Sequence, residues 1–399
     1  MNHATPSSPT DSAATGRSDR ISKTIAYYVA FVALGLVTAA LGPTLPGLAD
    51  HTHTLLSQIS FLFTARALGY LLGSLLGGRL YDRMPGHPVM AGVLVLMASM
   101  LIFVPLIPAL WLLTIVLLFV GATEGTLDVG GNALLVWVHG REVGPFMNGL
   151  HFFFGVGAFL SPIIIAQAVL LSGDIQWAFW TLALLVLPVA LLLARLSSPA
   201  APKITQDGPS GQVNILLALI ISLFFLLYVG AESSFGGWIY TYATALDLSD
   251  KTTAAYLTSV FWGALTAGRL LSIPVAARFR PRAILFGDLA GCLISVGVIL
   301  LWPGSSTVVW IGVFGVGFSM ASIFPTMISF AGRHMTLTGR VTAWFFVGSS
   351  SGGMILPWVI GQLFESIGPR VTMVAIFSDL VLAIAVFLAV MFYATKRES

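Results

Sequence analysis

Charge is what this sequence has least of. Asp, Glu, Lys and Arg make up 9% of its 399 residues, where soluble domains carry about 25%. A water-soluble globule is excluded on that ground, and the 57% hydrophobic content and mean hydropathy of +0.93 agree. Cysteine is almost missing: Cys292 alone rules out an intrachain disulfide framework and any cysteine-based zinc cluster. The net charge is only +3, and the basic residues mark loops instead of clustering as a patch, so nucleic acid is not expected as a partner. Residues 1–23 are polar, with no apolar stretch before Ile25, so they are no secretory signal and read as a disordered tail. No P-loop, HExxH run or nucleophile–base constellation occurs, so neither an enzyme nor a cofactor or metal centre is expected.

What the chain does have is apolar length. A helical bilayer span needs about 20 mostly apolar residues. Twelve such segments are predicted, near 25–48, 55–80, 88–108, 110–137, 146–171, 176–196, 213–243, 253–277, 283–302, 306–331, 341–363 and 371–393. Runs such as LLALIISLFFLLYV are apolar on every face, which excludes the alternation of a membrane β-barrel. The expected class is an all-α membrane protein of twelve transmembrane helices, with the lipid bilayer as its surroundings.

Twelve spans sort the loops into two sets. Fifteen of the 19 basic residues fall on one set and two, Lys251 and Arg370, on the other; Arg66 and Arg269 lie inside spans. The basic set should face the cytoplasm, which puts both termini there, at the inner membrane if the source is bacterial. Residues 197–212 (SSPAAPKITQDGPSGQ) form the long internal polar stretch expected of a linker between two bundles, 24–196 and 213–399. The bundles repeat each other. Gly69-x-Leu71-Leu72 followed by Arg79 and Arg83 returns as Gly268-x-Leu270-Leu271 followed by Arg278 and Arg282. Gly157-x4-Pro162-x4-Gln167 in the fifth span returns as Gly352-x4-Pro357-x4-Gln362 in the eleventh.

Ionisable groups inside a bilayer are costly and mark function by default. In the fourth span Glu124, Asp128 and Asn132 are spaced by four, on one helical face. Two carboxylates so close disfavour double ionisation, so one should hold a proton or both should share a cation. Asp128 is the expected coupling residue. Arg66 of the second span lies at a similar depth and is an alternative partner for Glu124. In the seventh span Glu232 sits among small residues and could pair with Arg269; Trp238, Tyr240 and Tyr242 follow, as flat faces for a sugar ring or as an interfacial belt. Asn148 and His151, three apart in the fifth span, complete the expected substrate contacts. His51 and His53 read as solvated. Asp288 is expected to pair with Arg278, Arg280 or Arg282, and Asp379 has no assignment.

Several stretches resemble a known family. GGRLYDRMPGH, through Gly78, Asp82 and Arg83, is similar to the loop 2–3 signature of the major facilitator superfamily, where such residues pair charges at the cytoplasmic gate. Within it, Asp128-x3-Asn132, YVGAESSFGGWIYTYA, LHFFFGVGAFLSP and SSSGGMILPWVIGQLF resemble the fourth, seventh, fifth and eleventh spans of the fucose–galactose–glucose symporter family, especially its sodium-dependent glucose transporter-like branch. The proton-coupled fucose branch has an acid near the end of its first span, where this chain has Leu41-Gly42-Pro43, and an Asn in its fifth, where this chain has Phe154. The resemblance implies two pseudo-symmetric six-helix bundles with the substrate between them. It further implies a monomeric symporter that carries a hexose or related small polar solute with sodium or a proton. The alternative on the same fold is a proton-driven exporter of drugs or metabolites. A membrane sensor that binds without transporting is the reading from another class.

Overall fold

In the computed structural model, which describes residues 9–200 and 214–395, the chain is helical throughout, with no strand among the described residues. Without water, every backbone N–H and C=O must be satisfied inside its own segment, which is why apolar runs of this length become helices. Twelve helices are long and apolar enough to cross a membrane. Spans 1–6 are Ser18–Thr38, Leu56–Tyr81, Gly86–Leu106, Leu110–Glu142, Gly144–Ser172 and Ile175–Ala194; spans 7–12 are Ile215–Ala245, Lys251–Arg278, Pro281–Leu301, Ser306–His334, Val341–Ile367 and Val371–Ala394. An even number returns the chain to its starting face, here called basal; the opposite face is distal.

Two expectations about boundaries need correction. The 1–23 tail is not without structure throughout: a single helix runs from Pro9 to Thr38, and residues 1–8 lie outside the described ones. Elongating an existing helix costs far less than nucleating one, and Lys23 grips Asp19 one turn back at 2.6 Å. The first span does not run unbroken to residue 48. It stops at Thr38, turns through Ala39 and Ala40, and resumes as a second helix, Leu41–Thr52. Most of the 197–212 linker falls within residues 201–213, outside the described ones.

Spans 1–6 pack as one six-helix bundle and spans 7–12 as another. Close approach within a bundle is set by small residues, as expected where lipid supplies no hydrophobic drive for helix association. The tightest case is spans 2 and 4, where a Cβ on Gly73 would strike the Ala122 backbone and one on Gly121 the Arg66 carbonyl. Span 10 is broken at Ala321 and Ser322 between helices Ser306–Met320 and Ile323–His334. The bundles meet where span 2 packs on span 11 and span 5 on span 8.

Candidate functional site

Between the bundles lies a cavity of about 1410 Å³. Gly42, Phe63 and Gly237 line its distal end, and its wall reaches Trp137, Phe279 and Arg333 at the basal ends of their spans. The side-chain hydrogen bonds that join the halves sit on the distal side. Thr64 donates to the Met354 carbonyl at 2.9 Å, Gln362 to the Ser57 carbonyl at 2.6 Å and Gln167 to the Tyr256 hydroxyl at 2.6 Å. Towards the basal side residues of the same spans line the cavity: Tyr70 and Ser74 with Ser349 and Phe346, Asn148 and His151 with Arg269 and Ser272. The structure is open on its basal face.

Three carboxylates and two internal arginines line this cavity, and their pairing decides where charge remains. Glu124 is gripped by Arg66 through two bonds, Nε to Oε2 at 2.7 Å and Nη2 to Oε1 at 2.6 Å. Thr38 adds a third to Oε1 at 2.9 Å. That settles the choice left open for Glu124: its side chain, 2% exposed, is committed to the arginine, not free beside Asp128. Glu232 faces Arg269 more loosely, at 3.9 Å. Asp128 has no cation within ion-pair distance among the described residues. It accepts from the Tyr70 hydroxyl at 2.5 Å and from the Asn132 amide at 3.0 Å, both neutral.

Spans 2 and 4 run parallel, so both contacts keep one offset: Arg66 to Glu124 and Tyr70 to Asp128 are each 58 residues apart. The glycine-packed seam holds that register. Tyr70 and Thr38 escaped the sequence reading. The signal was there for Tyr70, since Arg66-x3-Tyr70 repeats the spacing of Glu124-x3-Asp128.

The remaining expected residues divide. Asn148 and His151 line the cavity, and neither forms a hydrogen bond among the described residues; His151 only meets Phe31 edge-on. Glu232 also lines it. Trp238 and Tyr242 do not, against expectation. The wall face of span 7 is Val229, Glu232, Ser233, Gly236 and Gly237, and at about 100° per residue Trp238 and Tyr242 fall on the opposite side of the helix from the middle of that face. Trp238 is instead fully buried between Phe63 and Phe364, its indole N–H on the Pro357 carbonyl at 3.0 Å. Tyr242 is buried with its hydroxyl unpartnered.

Asp288 corrects another expectation. Its partner is Ser322 at the break in span 10, not an arginine, because the carboxylate lies among spans 9 and 10 and satisfies a hydroxyl that the broken helix presents. Asp379 remains unexplained, buried with one oxygen unpartnered. Gly78, Asp82 and Arg83 stand at the basal end of span 2, and neither charge has an ion pair among the described residues. His51 and His53 are exposed. No group of three or more metal-ligating side chains occurs among the described residues.

Several known proteins are similar to this chain. The sodium-dependent glucose transporter 1A of Mus musculus is 31% identical over 374 residues, 84% of this chain and 88% of that protein. Sodium-dependent glucose transporter 1 of Homo sapiens is 31% identical over 373 residues, 84% of this chain and 72% of that one. Two solved structures share the fold: a nucleoside transporter with TM-score 0.75 at 14% identity, covering 93% of this chain and 99% of the other, and a D-xylose-proton symporter with TM-score 0.70 at 14%, covering 93% and 96%. The Major Facilitator Superfamily matches residues 27–357, from span 1 into span 11, which takes in every residue of the cavity wall. This chain belongs to that superfamily of membrane transporters.

Proposed function

We propose that this protein carries a hexose or related small polar solute inward with sodium or a proton, by alternating access between its two bundles. The observation that carries the reading is the charge balance of the cavity: two of its three carboxylates face an arginine, while Asp128 has only neutral donors. A carboxylate offers about four lone-pair sites, so two remain after Tyr70 and Asn132. The Asn132 side-chain oxygen adds an uncommitted acceptor. Carboxylate and amide oxygens are ligands that suit a hard cation. Asp128 would bind the coupling ion, with Asn132 beside it, while Glu124 and Arg66 hold the spans in register.

Solute recognition would fall to Asn148, His151 and Glu232, which reach the cavity with bonding capacity to spare. The names of the vertebrate relatives favour glucose and sodium. The excess of Lys and Arg on basal loops favours the cytoplasm for that face, so the cavity would be inward-open. Asp82 and Arg83 would then be gate residues in their unlatched state. The test is uptake of radiolabelled hexoses into proteoliposomes under an imposed sodium or pH gradient. Accumulation under one gradient alone establishes symport and names the ion. Silence under both, with folded protein, overturns the reading and leaves export to be tried.

A further inference from the structure

The repeated G-x4-P-x4-Q motif has no part in the cavity, yet the structure gives both copies the same two contacts. At its first position, a Cβ on Gly157 would strike the Val32 carbonyl of span 1, and one on Gly352 the Leu226 carbonyl of span 7. Each glycine therefore docks its span on the first span of its own bundle. Ten residues on, the glutamine reaches the other bundle. Gln167 of span 5 donates to the Tyr256 hydroxyl of span 8, and Gln362 of span 11 donates to the Ser57 carbonyl of span 2, both at 2.6 Å.

One turn beyond Gln362, Glu365 strengthens the second contact. Its carboxylate accepts from the Leu56 backbone N–H at 2.9 Å and from the Ser57 hydroxyl at 3.2 Å. Leu56 begins span 2, where backbone N–H groups have no partner within the helix. Both glutamines and Glu365 are exposed, at the distal rim. Water can replace bonds made there at modest cost, so each bond biases an equilibrium by a factor of a few and does not weld the halves.

We propose that Gln167 and Gln362, one position in two copies of a repeat, are the two bolts of the distal gate, with Glu365 as the charged part of the second. They are positioning residues that touch no solute: made while the cavity opens basally, broken when it opens distally. The inference rests on the alternating-access reading above, but not on which solute or ion is carried.

The test therefore needs no substrate. Spin labels at Leu171→Cys and Leu301→Cys report the distal separation of the bundles, and labels at Arg141→Cys and Arg282→Cys the basal one; native Cys292 is fully buried and does not compete. In Q167A and Q362A the distal pair gains a longer-distance population and the basal pair a shorter one, the ratio moving about three- to tenfold for each bolt. Y256F reproduces Q167A, and the two together shift no further than either alone. Q362E, which loses its donor and faces the Ser57 carbonyl with a charge, shifts at least as far as Q362A. Melting temperatures within a few degrees of the parent keep the comparison to folded protein. Unchanged distances in Q167A, Q362A and Q362E, or additive effects of Q167A and Y256F, overturn the proposal. Failure of hexose uptake with these shifts present would refute the solute and leave the bolts standing.

Discussion

Tyr70 and Asp128 stand in the same relation as Arg66 and Glu124: one turn further along both helices, at the same 58-residue offset. The ladder has an ion-paired rung and a rung whose donor is neutral. The first is closed, while the second leaves a carboxylate with capacity facing the cavity. A transporter can use such an arrangement because the two rungs share one seam: an ion bound at Asp128, as proposed, would act on a carboxylate whose position is already set.

Asp128→Asn is expected to abolish gradient-driven accumulation while leaving counterflow, which needs the cavity but no coupling. Tyr70→Phe keeps the ring and removes the hydroxyl. A hydrogen bond to a charged group is worth about 1.5–3 kcal/mol, so the half-saturating cation concentration should shift at least about tenfold. Measuring initial uptake against cation concentration for both variants checks this. Unaltered coupling in Asp128→Asn would remove the residue from the mechanism.

The Arg66–Glu124 rung predicts a different pattern. Removing one partner of a buried pair strands the other charge, at about 3–5 kcal/mol, and Glu124 is 2% exposed. Arg66→Gln and Glu124→Gln should each lower the melting temperature in detergent by several degrees. The double variant should recover much of the loss, because a neutral pair can still bond. Thermal unfolding of the four proteins reads the cycle directly. Additive losses would mean that the pair does not act as a unit.

How far the sequence carried these conclusions depends on the kind of interaction. Span number and the two bundles follow from length and apolarity, which act locally along the chain. The Arg66 and Glu124 alternative could be framed, but choosing it took the register between two helices, which depends on glycine contacts such as Gly73 on Ala122. Trp238 misled because aromatic type is legible in sequence while facing is not. The turn of the helix places it opposite the middle of the wall face, although its neighbour Gly237 lines the cavity. Asp288 misled for a related reason: Pro325, which cannot donate to Ala321 four residues back, marks the break in span 10, but which partner the break presents to Asp288 depends on packing between spans.

The seam between spans 2 and 4 should tolerate almost no bulk. A methyl on Gly73 would meet main-chain atoms of Ala122, which cannot rotate away as a side chain could. Gly73→Ala should therefore separate the two helices, at a cost of about 1–3 kcal/mol for overpacking. It should also weaken cation dependence in the same direction as Tyr70→Phe, since Tyr70 rides on the displaced span. Gly92 of span 3, where a Cβ would meet nothing within 4 Å, is the control. Thermal unfolding together with cation titration of uptake separates the two glycines. Equal behaviour of Gly73→Ala and Gly92→Ala would show that the seam does not set the register.

Trp238→Phe tests whether the indole serves the solute or the scaffold. Trp238 is absent from the cavity wall and holds the Pro357 carbonyl of span 11 through its N–H, in a stack with Phe364. Phenylalanine keeps most of the packing, loses the bond and leaves the buried carbonyl without that donor, a deficit of about 1–3 kcal/mol. The melting temperature should fall while the half-saturating solute concentration stays within about twofold, since a scaffold bond contributes equally to empty and loaded protein. Glu232→Gln gives the contrasting result: its carboxylate lines the cavity, so solute affinity should drop with little change in unfolding. Paired measurements of solute titration and thermal unfolding on the two variants distinguish the roles, and a solute-affinity loss in Trp238→Phe without loss of stability would return the indole to the binding site.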